Sequence, residues 1–303
     1  MKSLKTFLLI LLSVAAVPAM AKLNVVATTA DFGALAQAIG GDLVNVTVLA
    51  KPTEDPHFVD AKPSYMVKLN RADVLIEGGA ELEIGWLPPL LDGARNAKIA
   101  AGQPGHVAVS DGLALLEVPA ELDRSKGDLH AKGNPHFMIA PSNARHAAQK
   151  IAESFSAIDP AQATTYQQNL THWLQQLDTK LTAWKQKLAP FAGQQVAAFH
   201  KSWPYFAHCF DLKIEIFLEP KPGIPPSPAH LAEVIETMKR EHVKAIIMEP
   251  FQNRRTAAAV AAATGAQIVE CAQFPGGLKG TAGDYLALLD KIVDALVAAL
   301  AAK

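Results

Sequence analysis

One amphipathic segment near the middle of the chain constrains the fold more than any other feature. Large apolar side chains recur there at steps of three and four residues: Tyr166, Leu170, Trp173, Leu174, Leu177, Leu181, Trp184 and Leu188. Gln, Lys and Thr stand between them. This spacing predicts an α-helix of about seven turns if it runs unbroken from Pro160. Pro190 then ends the helix, because proline lacks the amide that a helix interior requires.

Short apolar runs alternate with helical patterns on both sides of this helix. The runs before it predict strands over residues 23–28, 44–49, 74–77, 97–101 and 105–110. Those after it predict strands over 195–199, 213–218, 245–248 and 267–270. Because such alternation is typical of mainly parallel sheets covered by helices, we predict two α/β lobes joined by one long helix. The lobes are assigned to residues 22–142 and 190–303, with a connecting region over 143–189.

The first 21 residues have the pattern of a secretory signal peptide. Lys2 and Lys5 precede an apolar run, and Ala19 and Ala21 suit the small-residue pockets of signal peptidase. The run is too short for a stable membrane span, and an uncleaved anchor is the alternative. We therefore expect cleavage after Ala21 and a mature protein in the periplasm. In that oxidising setting Cys209 and Cys271 are a candidate disulfide, which their positions in the sequence leave open.

Composition limits the chemistry that is available. With 28 Lys and Arg against 29 Asp and Glu the chain has almost no net charge, which argues against binding to nucleic acid. Two cysteines are too few for a Cys-based zinc ribbon, whereas ten histidines are many for 303 residues. A metal site in this chain would therefore consist of imidazole and carboxylate groups.

Four side chains occupy loop positions at which an α/β lobe presents ligand groups. His57 lies beyond the predicted strand 44–49, His136 precedes an apolar run, His200 follows the predicted strand 195–199, and Asp284 opens the last helix. A proline before His57 and before His136 restricts the backbone there. Three imidazoles and a carboxylate suit Zn(II) and are plausible for other divalent first-row metals. Imidazoles bind metal only when neutral, so we expect affinity to fall as the pH drops through about 6.5.

The segments around these residues resemble one family in order along the whole mature chain. Residues 54–65 and 71–87 resemble the N-terminal hallmark of the cluster A-I solute-binding proteins, the metal-binding components of zinc and manganese ABC importers. Residues 133–144 and 198–206 are similar to the second and third metal motifs of that family. Residues 226–228, 248–250 and 280–284 match its C-terminal lobe.

This resemblance implies two Rossmann-like α/β lobes with parallel-sheet cores, bridged by a rigid helix, with one metal in the cleft. His57 and His136 would be ligands from the N-lobe, and His200 and Asp284 ligands from the C-lobe. A histidine at the third position is similar to the zinc-type members. The resemblance implies a monomer that carries Zn(II) as its transported ligand to a membrane ABC permease. It implies no enzymatic activity and no nucleic-acid partner.

The chain also departs from the family pattern. Zinc-type relatives often carry a long His-rich loop before the second motif, whereas residues 121–134 offer only His130, a possible accessory ligand. Lys201 stands after the third histidine, where an acidic residue is common. The alternatives are a manganese or iron binder of the same family, a zinc-dependent hydrolase with an open coordination position, and a surface adhesin. The sequence shows no lipid-attachment cysteine near the cleavage point, which argues against the adhesin.

Overall fold

The fold consists of two parallel β-sheets with helices packed against them. The computed structural model describes residues 21–121 and 130–302, so all of the predicted signal peptide except Ala21 lies outside the described residues. The strands of the first sheet are β1 (Leu23–Ala27), β2 (Val44–Val48), β3 (Val74–Glu77) and β4 (His106–Ala108). The strands of the second sheet are β5 (Gln195–Ala198), β6 (Lys213–Phe217), β7 (Ala245–Met248) and β8 (Gln267–Glu270).

The two sheets have the same topology. Their spatial orders are β2-β1-β3-β4 and β6-β5-β7-β8, and every neighbouring pair is parallel. In such sheets ligands bind beyond the carboxyl ends of the strands, near the point where the strand order reverses. The fold therefore offers one crevice in each lobe, beside β1 and β3 in the first and beside β5 and β7 in the second.

Nine helices lie within the described residues. The first lobe contains α1 (Ala30–Gly40), α2 (Pro63–Asn70) and α3 (Leu87–Ala94), followed by α4 (Pro141–Ile158) and α5 (Ala163–Leu188). The second lobe contains α6 (Pro204–Phe210), α7 (Pro228–Arg240), α8 (Arg254–Thr264) and α9 (Tyr285–Ala301). No helix within 21–121 or 130–302 combines the length and the apolar character needed to cross a bilayer.

The predicted long helix is α5, and it contacts both lobes. Six of its apolar side chains are buried: Tyr166, Leu170, Trp173, Leu177, Trp184 and Leu188. Asn169 donates a hydrogen bond of 2.8 Å to the carbonyl of Ile39 in α1, and the Trp184 Nε1–H donates one of 2.8 Å to Asp290 in α9. At about 1.5 Å per residue, its 26 residues extend about 39 Å. The prediction of two α/β lobes and one long helix is confirmed.

Several local predictions were wrong or incomplete. Residues 97–101 are not a strand, because the Asn96 side chain accepts a hydrogen bond from the Lys98 amide and begins a 3-10 turn at Ala97. The same side chain donates to the carbonyls of Leu69 and Ala72. The sequence analysis also did not identify α3, and it did not separate α4 from the long helix.

Cys209 and Cys271 are both free thiols in the structure. Cys209 lies on α6, and Cys271 is buried directly after β8. The candidate disulfide is therefore not formed.

A buried glutamate connects two strand ends of the first lobe. Glu83 accepts hydrogen bonds from the Thr28 hydroxyl at 2.7 Å and from the Gly78 amide at 2.8 Å. Its Oε2 is buried without a hydrogen-bond partner among the described residues. Burial, together with the nearby charge of Glu77, raises the pKa of Glu83 to about 8. Glu83 is therefore protonated at neutral pH.

This raised pKa predicts a pH dependence of stability. The Glu83 carboxyl ionises near 4.5 in the unfolded chain but only near 8 in the folded protein, so its contribution to stability is full below about 4.5 and is lost as the pH rises towards 8. We expect the free energy of unfolding of Glu83→Gln, relative to that of the wild type, to rise increasingly over this range, by roughly 3–5 kcal/mol at the upper end. Urea unfolding in the presence of a chelator measures the difference. Glu233→Gln, on the exposed face of α7, is the control, and parallel pH profiles for Glu83→Gln and wild type would contradict the prediction.

Candidate metal centre

His57 is held in the loop that follows β2. The Asp55 carboxylate accepts a hydrogen bond from the His57 amide at 3.0 Å and lies 2.9 Å from its ring Nδ1. The Trp86 Nε1–H donates to the carbonyl of Pro56 at 2.9 Å, which fixes the same loop against the body of the lobe. A proton on Nδ1 that is shared with Asp55 leaves the lone pair on Nε2. The ring therefore presents Nε2 to the cleft.

His136 is buried at the junction between the lobes. Its amide donates to the Asn134 side chain at 3.0 Å, and its Nδ1 lies 2.8 Å from Oε1 of Gln273. Gln273 in turn donates to Glu249 at 3.3 Å. Because an amide oxygen accepts only from a protonated nitrogen, Gln273 sets the tautomer and leaves Nε2 of His136 free.

His200 stands at the carboxyl end of β5. Its Nδ1 lies 2.7 Å from Oε2 of Glu219, which follows β6, and the same oxygen accepts from the Gly223 amide at 3.3 Å. The arrangement is the same as at His57 and His136: a hydrogen-bond acceptor contacts Nδ1 of the ring, and Nε2 is left available. Such acceptors fix ring orientation and increase the basicity of a metal-binding imidazole.

The structure brings His130 into the same cluster. Its Nε2 lies 3.1 Å from Nε2 of His57, and the two ring centroids are 5.1 Å apart. The separations between the other ring centroids are 5.1 Å for His57–His136, 5.4 Å for His136–His200 and 6.1 Å for His57–His200. Zn–N bonds of about 2.0–2.1 Å in a tetrahedral site place neighbouring nitrogens about 3.3 Å apart. The His57–His130 pair is close to that value.

The cluster is gathered but not closed. Among the described residues, no three His, Cys, Asp or Glu side chains already stand in a geometry that would hold a metal ion. The His57–His200 centroid separation of 6.1 Å is 1.0 Å longer than the 5.1 Å of His57–His136. The longest of these centroid separations therefore joins a ring of the first lobe to a ring of the second.

The electrostatics favour neutral rings at two of the four positions. Burial, reinforced by the neighbouring imidazoles, holds the pKa of His136 well below its ordinary value. Burial and the same repulsion lower the pKa of His130 to about 4. Burial also acts to lower the pKa of His200, but the hydrogen bond that the ring donates to Glu219 and the negative charge of Glu249 outweigh it and leave the pKa above its ordinary value. His130 and His136 are thus neutral imidazoles at neutral pH.

A cleft of about 400 Å³ opens beside His57, His136 and His200. Aromatic and proline side chains form much of its apolar wall: Phe58, Phe199, Pro222, Pro225, Pro226 and Phe251. Asp55, Glu219 and Gln273 also reach it. The cleft therefore combines imidazole donors with an apolar wall between the lobes.

Asp284 lies apart from the histidine cleft in the structure, and the ligand role given to it from the sequence stays a prediction. Asp284 is the N-cap of α9, and its Oδ1 accepts a hydrogen bond from the Ala287 amide at 3.0 Å. It lines a separate cavity with Trp173 and Lys180 and is absent from the described residues that line the histidine cleft. An Asp directly before an apolar helical pattern is also the signature of a helix cap, and here that role accounts for it.

Sequence reasoning missed Gln273 and Glu219. Both follow a strand within three residues, Gln273 after β8 and Glu219 after β6. The carboxyl ends of parallel strands are where ligand groups lie, so this position was the available signal.

Comparison with known proteins gives a family and several relatives. A family model described as ZnuA, zinc-uptake complex component A, periplasmic, matches residues 25–299. The iron ABC transporter substrate-binding lipoprotein MtsA of Streptococcus pyogenes serotype M1 is 26% identical over 286 residues, covering 91% of this chain and 89% of that protein. The manganese ABC transporter substrate-binding lipoprotein PsaA of Streptococcus anginosus is 24% identical over 264 residues, 82% of each chain.

A crystal structure of ZnuA is similar along almost the whole chain. The TM-score is 0.76 at 26% sequence identity, and the match covers 92% of this chain and 99% of that one. The names of these proteins include zinc, iron and manganese, so the choice of metal depends on the chemistry of the site.

The position of Asp284 leads to a prediction that separates helix capping from metal binding. We expect Asp284→Ala to lower the free energy of unfolding by about 1 kcal/mol, through loss of the cap, and to leave the affinity for divalent metal unchanged. Asp284→Asn keeps a capping oxygen and should retain wild-type stability. Urea unfolding and isothermal titration with zinc measure the two effects. Weaker metal binding in both variants would return Asp284 to the ligand set.

Proposed function

Because this chain belongs to the ZnuA family of periplasmic metal-binding components of ABC importers, we propose that it captures Zn(II) between its lobes and delivers the ion to the permease of such an importer. The family consists of substrate-binding proteins rather than enzymes, so the metal is cargo. Membership of this family argues against the alternative of a zinc-dependent hydrolase.

The observation that carries the choice of zinc is the set of imidazole nitrogens. Nε2 of His57 faces Nε2 of His130, and the Nδ1 atoms of His136 and His200 have acceptors behind them that leave Nε2 available. Nitrogen donors of intermediate softness suit Zn(II), whereas Mn(II) is better served by carboxylate and carbonyl oxygens. His57, His136 and His200 are therefore the proposed ligands. His130 is proposed as the fourth, in the place first given to Asp284.

Two ligands would come from loops of the first lobe, one from its boundary with the second, and one from the second lobe. Metal binding would draw His57 and His200 together, and separation of the lobes on the permease would release the ion. Because a single chain supplies all four rings, we propose that the protein acts as a monomer. We also propose that it acts in the periplasm after cleavage behind Ala21.

An iron- or manganese-binding role is the second candidate. The relatives MtsA and PsaA are named for iron and manganese. In this chain the carboxylates of Asp55 and Glu219 reach the cleft and would be the available oxygen donors. Both are engaged by the Nδ1 atoms of histidines, which favours a supporting role over direct ligation.

The ligand set is tested by single substitutions. We expect His57→Ala, His136→Ala and His200→Ala each to weaken zinc binding by at least about 100-fold. Loss of a hydrogen-bond partner of a metal ligand weakens metal binding by about 10- to 100-fold, and loss of the ligand itself should cost at least as much. His172→Ala, on the exposed face of α5, is the control and should bind as the wild type does. Isothermal titration measures the affinities. Unchanged affinity in all three cleft variants would overturn the site.

The choice of metal is tested by competition. We expect zinc to bind at least about 100-fold more tightly than manganese. Sites with nitrogen donors bind the divalent first-row metals in an order of affinity in which zinc lies well above manganese. Competition titration against a chromophoric chelator, combined with metal analysis of protein purified without added metal, measures the preference. Equal or tighter binding of manganese would favour the second candidate.

A further inference from the structure

The segment that carries His130 is anchored directly beside the cluster. The Asn134 amide donates to the carbonyl of Leu116 at 2.8 Å, and the Gly133 amide donates to the carbonyl of His130 at 3.1 Å. Gly133 has φ of +113°, and a Cβ there would lie 2.8 Å from the Leu116 oxygen. Only glycine fits this close crossing of two backbones. We call residues 130–134 the His130 segment.

A charged pair ties this segment to the second lobe. Lys201, the residue after His200, places its Nζ 2.9 Å from Oε1 of Glu117. The other oxygen of Glu117 accepts from the Asn134 side chain at 3.0 Å, and that side chain also donates to the carbonyl of Lys201 at 2.9 Å. The Tyr205 hydroxyl of α6 donates to the carbonyl of Asn134 at 2.7 Å. The His130 segment therefore rests on residues that neighbour His200.

A second carboxylate holds the segment from the first lobe. Glu81 accepts a hydrogen bond from the Ala131 amide, next to His130. Glu81 and Glu117 both have left-handed backbones, with φ of 67° and 59°. Residues with side chains adopt this conformation rarely, and it persists where the surroundings determine it. Both glutamates that hold the His130 segment thus have an uncommon backbone conformation that their surroundings maintain.

We propose that Lys201, Glu117 and Glu81 are positioning residues that present His130 to the metal. This inference rests on the proposed function, because it concerns the fourth donor of the same site. Glu81 supports His130 from the first lobe and Lys201 supports it from the second. Part of the support of the fourth donor therefore depends on the spacing of the lobes, and movement of the lobes apart would remove the contribution of Lys201.

The test is a double-mutant cycle between Lys201 and His130. Lys201→Met keeps an unbranched aliphatic chain and removes the charged Nζ, which pairs with Glu117 and lies 6.0 Å from the centroid of the Phe217 ring. We expect it to weaken zinc binding between about threefold and tenfold in the wild-type background and to have no effect in the His130→Ala background. Lys201→Arg keeps the pair and should restore wild-type affinity. Substitution with Co(II) gives a second measurement, because the visible spectrum reports the number and symmetry of the ligands, and Lys201→Met should shift it towards that of His130→Ala.

Lys180→Met is the matched control. The Lys180–Asp290 pair has side-chain exposures of 42% and 32%, against 41% and 33% for Lys201–Glu117, and it joins α5 to α9 away from the cleft. It should leave zinc affinity and the Co(II) spectrum unchanged. An equal loss from Lys201→Met with and without His130 would overturn the inference. If His57→Ala abolishes binding while His130→Ala and Lys201→Met bind as the wild type does, the inference is wrong and the proposed function stands. Absence of zinc binding in the wild type would overturn both.

Discussion

The helix α5 is the constraint on which the rest of the structure depends. Each lobe has its own sheet and presents only part of the histidine cluster, so the cluster exists only if the lobes are held at one spacing. Asn169 fixes α5 to the end of α1, and Trp184 fixes it to Asp290 of α9. A helix held at both ends by buried packing and hydrogen bonds permits small movements of the lobes and resists large ones. A metal site shared between lobes needs this limited freedom.

Within the cleft, the same hydrogen-bonding arrangement occurs at three histidine rings. Asp55, Gln273 and Glu219 each engage the Nδ1 of one histidine, and each belongs to a loop beyond the carboxyl end of a strand. The contact at Nδ1 leaves Nε2 of each ring available. Differences in the acceptor set the proton affinity: the neutral amide of Gln273 leaves the buried His136 without a balancing charge, and its pKa falls well below its ordinary value. Glu219, with help from Glu249, raises the pKa of His200.

The sequence was sufficient to predict the fold and to predict that His57, His136 and His200 lie close together. The period of the apolar side chains in α5 and the alternation of strands and helices depend on local chemistry, so they could be read directly. The role of Asp284 could not be read from the sequence, because one local pattern, an acidic residue before a helix, serves both capping and ligation, and the position of the α9 N-terminus is needed to distinguish the two. Gln273 lies 137 residues from its partner His136, and no local pattern reports such a contact. The strand predicted over residues 97–101 was wrong for a related reason. The hydrogen bonds from Asn96 to the distant carbonyls of Leu69 and Ala72 decide the conformation of this segment.

If His130 is the fourth donor, as proposed, its position provides a route by which the site would release its ion. Three donors are fixed by acceptors within their own surroundings, and a site with only these three would bind at any spacing of the lobes that keeps the rings near one another. His130 differs, because its support is divided between Glu81 in the first lobe and the Glu117–Lys201 pair that leads to the second. The pair is partly exposed to solvent, so its contribution is modest and its separation costs little. In the proposed site, the donor with the weakest support would be the first to leave when the lobes part, and the coordination of the ion would fall from four donors to three.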